Sequence, residues 1–264
     1  MAFWGCSFIF NGIPCEDFDL MMYNIDGTSP SAGKFASGVT VVEQKLSNRW
    51  RPLFYGAKLE GKLQFEIVFG VNQKRIDKNE YLDRYELEAI GSWLTGHDRY
   101  LWLEVMQEDM EYFRYRCIIT DLQMVEFGNL PMALKATVSC DGPYAYLYPQ
   151  TFEYSVDGSA IIDFFNESSH NGYYFPVLEY EPVGTGTLTI TNHSDGDRAF
   201  ELKEHPAAEK VTVDNDLGIM TADTDMYPYF NFKFLRFVKG NNHLTVSGNG
   251  IIRFICEFPI NIGG

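Results

Sequence analysis

The chain has 264 residues, 45% of them hydrophobic and 22% charged, which fits a globular protein with one or two cores and excludes a disordered one. With 36 acidic residues against 21 basic, the net charge is −15, a balance that disfavours binding to the nucleic-acid backbone. Aromatic residues make up 16%, a content that suits strands, where flat rings pack on pleated surfaces.

In chain order, residues 3–9 read as a strand entering an Asn11-Gly12 turn, a strong hairpin signal, with residues 18–23 as the expected return strand. The polar, small-residue stretch from Asp26 to Gly38 reads as a loop or as an arm that orders on a neighbour. Residues 39–46 alternate as a strand. Leu63, Phe65, Ile67 and Phe69 share one face of the next, with Lys62, Gln64 and Glu66 opposite. One helix is expected over residues 78–95. Asp77 is its cap, Glu80 completes a capping box, and Leu82, Tyr85, Ala89 and Trp93 fall at helical spacing, widened by Leu87, Ile90 and Leu94. Gly96 supplies the stop. Residues 100–105 and 112–124 form a second hairpin around Gln107-Glu108-Asp109, and residues 131–140 close the first half.

The segment Cys140-Asp141-Gly142-Pro143-Tyr144-Ala145-Tyr146 is the seam, giving expected domains 1–143 and 144–264. The boundary stretch from Asp141 to Gln150, with two prolines and three tyrosines, is too apolar for a floppy linker, so a fixed relation between the domains is expected. Beyond it, short strands recur at 152–156, 160–165, 175–180, 187–191, 199–202, 210–213, 230–237, 243–246 and 251–258. Asp157-Gly158, Asn171-Gly172, Asp195-Gly196 and Leu217-Gly218 stand as their turns. That spacing is the pattern of an all-β sandwich.

No motif carries recognisable chemistry. Ser residues stand in no nucleophile elbow, and His97, His170, His193, His205 and His243 form no short ligand pair. Gly184-Thr185-Gly186-Thr187 lacks the Lys and helix of a phosphate loop. Asp214-Asn215-Asp216-Leu217-Gly218 lacks the ligand pattern of a calcium loop. Asp195 and Asp197 near His193 read as a solvated loop. Asn166-Glu167-Ser168 and Asn192-His193-Ser194 match the glycosylation pattern, which matters only in a secreted chain. The N-terminus has no basic region followed by an apolar run, and the apolar stretches are too short to span a bilayer, so no signal peptide and no membrane insertion are expected. Cys6, Cys15, Cys117, Cys140 and Cys256 are odd in number and scattered, the pattern of buried apolar residues rather than of a disulfide framework. No catalytic, cofactor or metal residue is assigned.

Several segments, in order, resemble the distal tail proteins (Dit) of long, non-contractile-tailed bacteriophages. They are Phe8-Ile9-Phe10-Asn11-Gly12-Ile13 with Glu16-Asp17-Phe18, the helix ending Ser92-Trp93-Leu94-Thr95-Gly96, the seam from Val138 to Tyr146, and the C-terminal run Val211-Thr212-Val213-Asp214-Asn215 through Leu235 to Gly240-Asn241-Asn242-His243-Leu244-Thr245-Val246. The resemblance implies a mainly β protein. Its N-terminal domain is β-sandwich-like, carries one α-helix and resembles a tail-tube subunit; its C-terminal domain is a galectin-like β-sandwich. It implies a non-enzymatic hexameric ring, or two stacked rings, at the virion's tail tip, assembled in the host cytoplasm. The ring joins the tail tube protein to the tail-associated hub protein and to receptor-binding proteins, and its channel passes DNA without specific binding. There is no room for an inserted carbohydrate-binding module. A tail-tube subunit and a glycan-cleaving enzyme are weaker readings. The main alternative is a carbohydrate-binding sandwich, with Tyr173, Tyr174, Tyr227 and Tyr229 as candidate stacking residues.

Overall fold

The computed structural model describes residues 5, 7–23, 39–59, 61–206 and 209–262. The chain is mainly β, with antiparallel sheets and β-sandwich-like layering. It divides into two compact units. One comprises residues up to Tyr146 together with the chain's end from Asn261; the other is Leu147–Ile260. The Asp26–Gly38 segment lies outside the described residues.

In the first unit, β1 (Ser7–Phe10) turns through Asn11 and Gly12, both at positive φ, into the two-residue β2 (Ile13–Pro14). Two consecutive left-handed residues make the turn whose twist matches a hairpin. The expected return strand is corrected. Residues 15–18 form a single 3-10 turn, and β3 (Leu20–Met22) pairs instead with a later strand, β6 (Gln64–Val71). Between them, β4 (Val39–Gln44) and β5 (Leu53–Leu59) pair as a separate two-stranded ribbon. β6 buries Phe65, Ile67, Phe69 and Val71 and exposes Gln64 and Glu66, a period of two that holds until Gly70, which is also buried.

The helix also needs correction. Asp77 ends a one-turn α1 (Gln73–Asp77), and the main helix is α2 (Arg84–Leu94). Its cap is Asp83, whose carboxylate accepts from Tyr85 N and Glu86 N, while Glu86 returns to Asp83 N. This reciprocal box contributes about 1 kcal/mol. Leu82 is core but precedes the helix, and Tyr85 is 85% exposed; the buried stripe is Ile90, Trp93 and Leu94. Trp93 stacks on Phe8 and Phe18 and donates its indole N–H to Phe10 O, fixing α2 against β1. β7 (Leu101–Met106), β8 (Phe113–Phe127) and β9 (Leu130–Cys140) complete the sheet, in the order β2-β1-β7-β8-β9-β6-β3. At the seam, Asp141 N donates to Arg116 O, and Tyr146 Oη donates to the Asp141 carboxylate. Burial raises the Asp141 pKa, opposed by the Tyr146 hydrogen bond and the Arg116 charge. The short β10 (Ala145–Leu147) follows.

The second unit is organised by one long antiparallel pair. β11 (Gln150–Asn166) runs in register against β17 (Gly240–Cys256) over 17 residues. Asp157-Gly158 and Gly248-Asn249-Gly250 are therefore not turns between short strands but points inside long ones. They are bends. Gly158 has φ +75 and donates N–H to Asn249 Oδ1, and a Cβ on Gly250 would meet Glu181 O at 2.2 Å. On either side of the bend, β17 pairs with different strands. Its first half takes β13 (Gly186–Asn192), which carries β14 (Arg198–His205). Its second half takes β12 (Val177–Pro182), which carries β15 (Val211–Asp214) and then β16 (Ile219–Thr221). A bent strand shared in this way lets two wings close over one core. Leu188, Ile190, Phe200 and Leu202 come from one wing, Leu178, Tyr180, Val211 and Val213 from the other. β18 (Pro259–Ile260) ends the unit.

The strand expected at 230–237 does not form. Phe232 has φ +59 and interrupts the extended backbone, so the segment contributes only isolated bridges at Phe230 and Phe237.

Candidate functional surfaces

The Asp214 loop is a turn: Asp214 Oδ1 accepts from Asp216 N and Leu217 N. Asn215 is buried and joins Pro176 O to Leu235 N. Among the described residues, no group of three or more His, Cys, Asp or Glu could hold a metal ion. Asn166 and Asn192 are buried and donate to Val238 O and Arg236 O, so neither presents its amide for glycosylation.

The loop at His193 is more ordered than its sequence suggests. His193 Nδ1 lies 2.6 Å from Asp197 Oδ1, and Nε2 lies 2.8 Å from Thr245 Oγ1. This carboxylate–imidazole–hydroxyl chain has the order of a nucleophilic relay, but both His193 and Asp197 are exposed to water. It ties the turn after β13 to β17. Asp195 belongs to a different contact: it holds Arg236 through two bonds, and the Arg236 guanidinium covers the Tyr173 ring at 3.6 Å.

The four candidate tyrosines do not make one platform. Tyr173 lies under Arg236. Tyr174 packs on Phe258 and accepts from Glu257 N. Tyr227 accepts from Met220 N, and Tyr229 lines a shallow cavity of about 310 Å³ with Lys203, Glu204 and Asn231. Phe232, in the same unit, is 63% exposed and lies near-parallel to Tyr227 at 6.1 Å. Asn231 pins its turn, donating to Ala199 O and Glu201 O and accepting from Lys233 N. The only signal in the sequence was the Phe230, Phe232, Phe234 alternation, which reads equally as a strand.

Two further surfaces lie in the first unit. The ribbon β4–β5 exposes Val41, Val42, Trp50, Phe54 and Tyr55, with Trp50 81% exposed, and among the described residues none of it belongs to either core. Lys45, Arg49 and Arg51 outnumber Glu43 there, in a chain of net charge −15. Separately, a groove of about 810 Å³ opens beside the start of α2, over Tyr81, Leu87, Met124 and Pro131, with Asp83 and Glu88 in its lining. Among the described residues, no helix is long and apolar enough to cross a membrane.

Comparison with known proteins gives these surfaces a setting. Residues 4–142 match a family described as phage tail protein N-terminal domain, and residues 144–256 match its counterpart, phage tail C-terminal domain. The chain belongs to this phage tail protein family. A search of curated proteins found no match. Among solved structures, the Dit protein (gp 19.1) of phage SPP1, described as a paradigm of the hub adsorption apparatus in phages infecting Gram-positive hosts, aligns with TM-score 0.68 and 11% identity. The alignment covers 96% of this chain and 98% of that one. Baseplates of phage p2 in the activated conformation, with Ca and with Sr, align at TM-scores 0.49 and 0.47, each at 11% identity over 90% of both chains. The Dit fold thus extends over nearly the whole chain, in agreement with the resemblance read from its motifs. This is a structural protein of the phage tail.

Proposed function

We propose that the protein is the hub ring of the tail tip, a homo-hexamer that joins the tail tube to the tail-associated hub protein and to receptor-binding proteins, without catalytic activity. The observation that carries this reading is the full-length likeness to the SPP1 Dit hub protein, at 96% coverage. The first unit, tube-like, forms the ring, alone or as two stacked rings, and the second, galectin-like, faces outward. The exposed ribbon suits a subunit contact, because one face of each copy meeting a different face of the next closes into a ring. An acidic chain suits a channel that passes DNA without holding it. Assembly takes place in the host cytoplasm.

Solution mass and negative-stain images test it. Rings of six, or pairs of them, with an open centre are expected. A strict monomer both alone and when mixed with the tail tube protein of the same phage would falsify the ring.

A second reading has one observation in its favour. Phe232 is an exposed aromatic held in a left-handed backbone that costs about 1–3 kcal/mol, a pattern found where a ring is presented to a ligand. On this reading the second unit binds surface glycans by stacking. Binding on a glycan array that disappears in Phe232→Ala supports it, and binding unchanged by that substitution removes it.

A further inference from the structure

Cys117 and Cys140 are separated by more than twenty residues, yet β8 and β9 set them directly opposite each other. Asp141 N donates to Arg116 O, which makes the neighbouring pair, Arg116 and Asp141, the hydrogen-bonded one. Cys140 N donates away from β8, to Leu63 O. The two cysteines therefore occupy a non-hydrogen-bonded position, where facing Cα atoms are about 4.5 Å apart and side chains come closest. A disulfide requires a Cα separation of about 4.4–6.8 Å. Both side chains point to the same face, with Tyr115, Ile119 and Val138 beside them, and both are fully buried free thiols. The other described cysteines have no such partner: Cys15 contacts Ser7 and Leu20, and Cys256 stands opposite Gln150.

We propose that Cys117 and Cys140 are a built-in oxidation site that closes into a cross-strand disulfide stapling β8 to β9. The S–S bond forms as two S–H bonds break. The two electrons and two protons pass to a disulfide oxidant of the glutathione type, which is released as two thiols. Burial raises both thiols, that of Cys140 to about 12, so the reactive thiolate is scarce at neutral pH while the sheet is closed. The reaction therefore proceeds through opening of the sheet or during folding, and the native register then holds the product.

The test uses the full chain, purified reduced. One sample is incubated folded across a series of reduced-to-oxidised glutathione ratios, and a second is refolded from urea in the same buffers. Both are acid-quenched, alkylated under denaturing conditions and mapped by mass spectrometry. Two of the five thiols are expected to disappear together, in a peptide joining Cys117 to Cys140, at a ratio at least ten-fold more reducing than any other link requires. Cys256→Ala, in the other core, should leave that link unchanged. The proposal is overturned if both cysteines stay free in both samples. It is equally overturned if they carry glutathione instead of each other, or if either links to Cys6, Cys15 or Cys256.

Discussion

Two antiparallel pairs in this molecule are built from similar residues and have opposite fates. The β11–β17 pair buries every second residue through much of its length, among them Val156, Ile162 and Phe164 on one strand and Leu244, Val246, Ile252 and Phe254 on the other. The β4–β5 ribbon pairs just as regularly, apart from a bulge after Val42, and yet its Val41, Val42, Phe54 and Tyr55 face water. Hydrogen bonding is common to both, so it is not what makes β11–β17 the spine of its unit. Burial is. An isolated two-stranded ribbon is marginal in water, and an acidic chain that displays a basic, aromatic one is equipped for contact with something outside itself.

The largest loss is expected at the β11–β17 spine. Phe254 is buried and touches Phe164 and Phe237. Phe254→Ala should cost about 3–5 kcal/mol by opening a cavity, read as a large fall in the denaturant midpoint of the second unit. Next, Asn215→Ala leaves the carbonyl of Pro176 and the N–H of Leu235 without their buried partner. About 2 kcal/mol of destabilisation is expected by the same measurement, and no change would show that the loop relaxes to water. In the first unit, Asp83→Ala removes the cap of α2 at about 1 kcal/mol, seen as a smaller midpoint shift with loss of helical signal. The ribbon supplies the contrast. Trp50→Ser with Phe54→Ser should change the stability of the isolated chain by no more than about 0.5 kcal/mol, while reducing assembly in sizing chromatography. A large loss of stability instead would mean that the ribbon is structural after all.

The smallest effect is a pH slope. The folded-state pKa of Asp141 is raised above its ordinary 3.8. The folded chain thus holds a proton that the unfolded chain releases, and the stability this confers is present below 3.8 and lost as pH rises through the raised value. Asp141→Asn should flatten that part of the stability–pH curve, and a slope unchanged from wild type would assign it to other carboxylates.

Much of the strand pattern was legible because period-two burial is written locally, as in Leu63, Phe65, Ile67 and Phe69. The Asn11-Gly12 turn was legible for the same reason: its left-handed backbone is a property of those two residues. What misled was punctuation. Gly158, Gly248 and Gly250 look like strand ends, but a glycine that lets a long strand bend is indistinguishable in sequence from one that ends it. Asp77 and Asp83 both qualify as helix caps. Only packing chose Asp83, because Trp93 had to reach Phe8 and Phe18. Phe232 was unreadable because its left-handed backbone depends on three hydrogen bonds that Asn231 makes, two of them with β14.

The sequence by itself determined the β class, the seam signal near Cys140, the acidic balance and the family resemblance, since each is carried by composition, short-range order or motif order. The tertiary structure decided which distant strands meet: β3 with β6, and β11 with β17. Partners separated by long loops are chosen by the burial of whole faces, and no local stretch of residues encodes that choice.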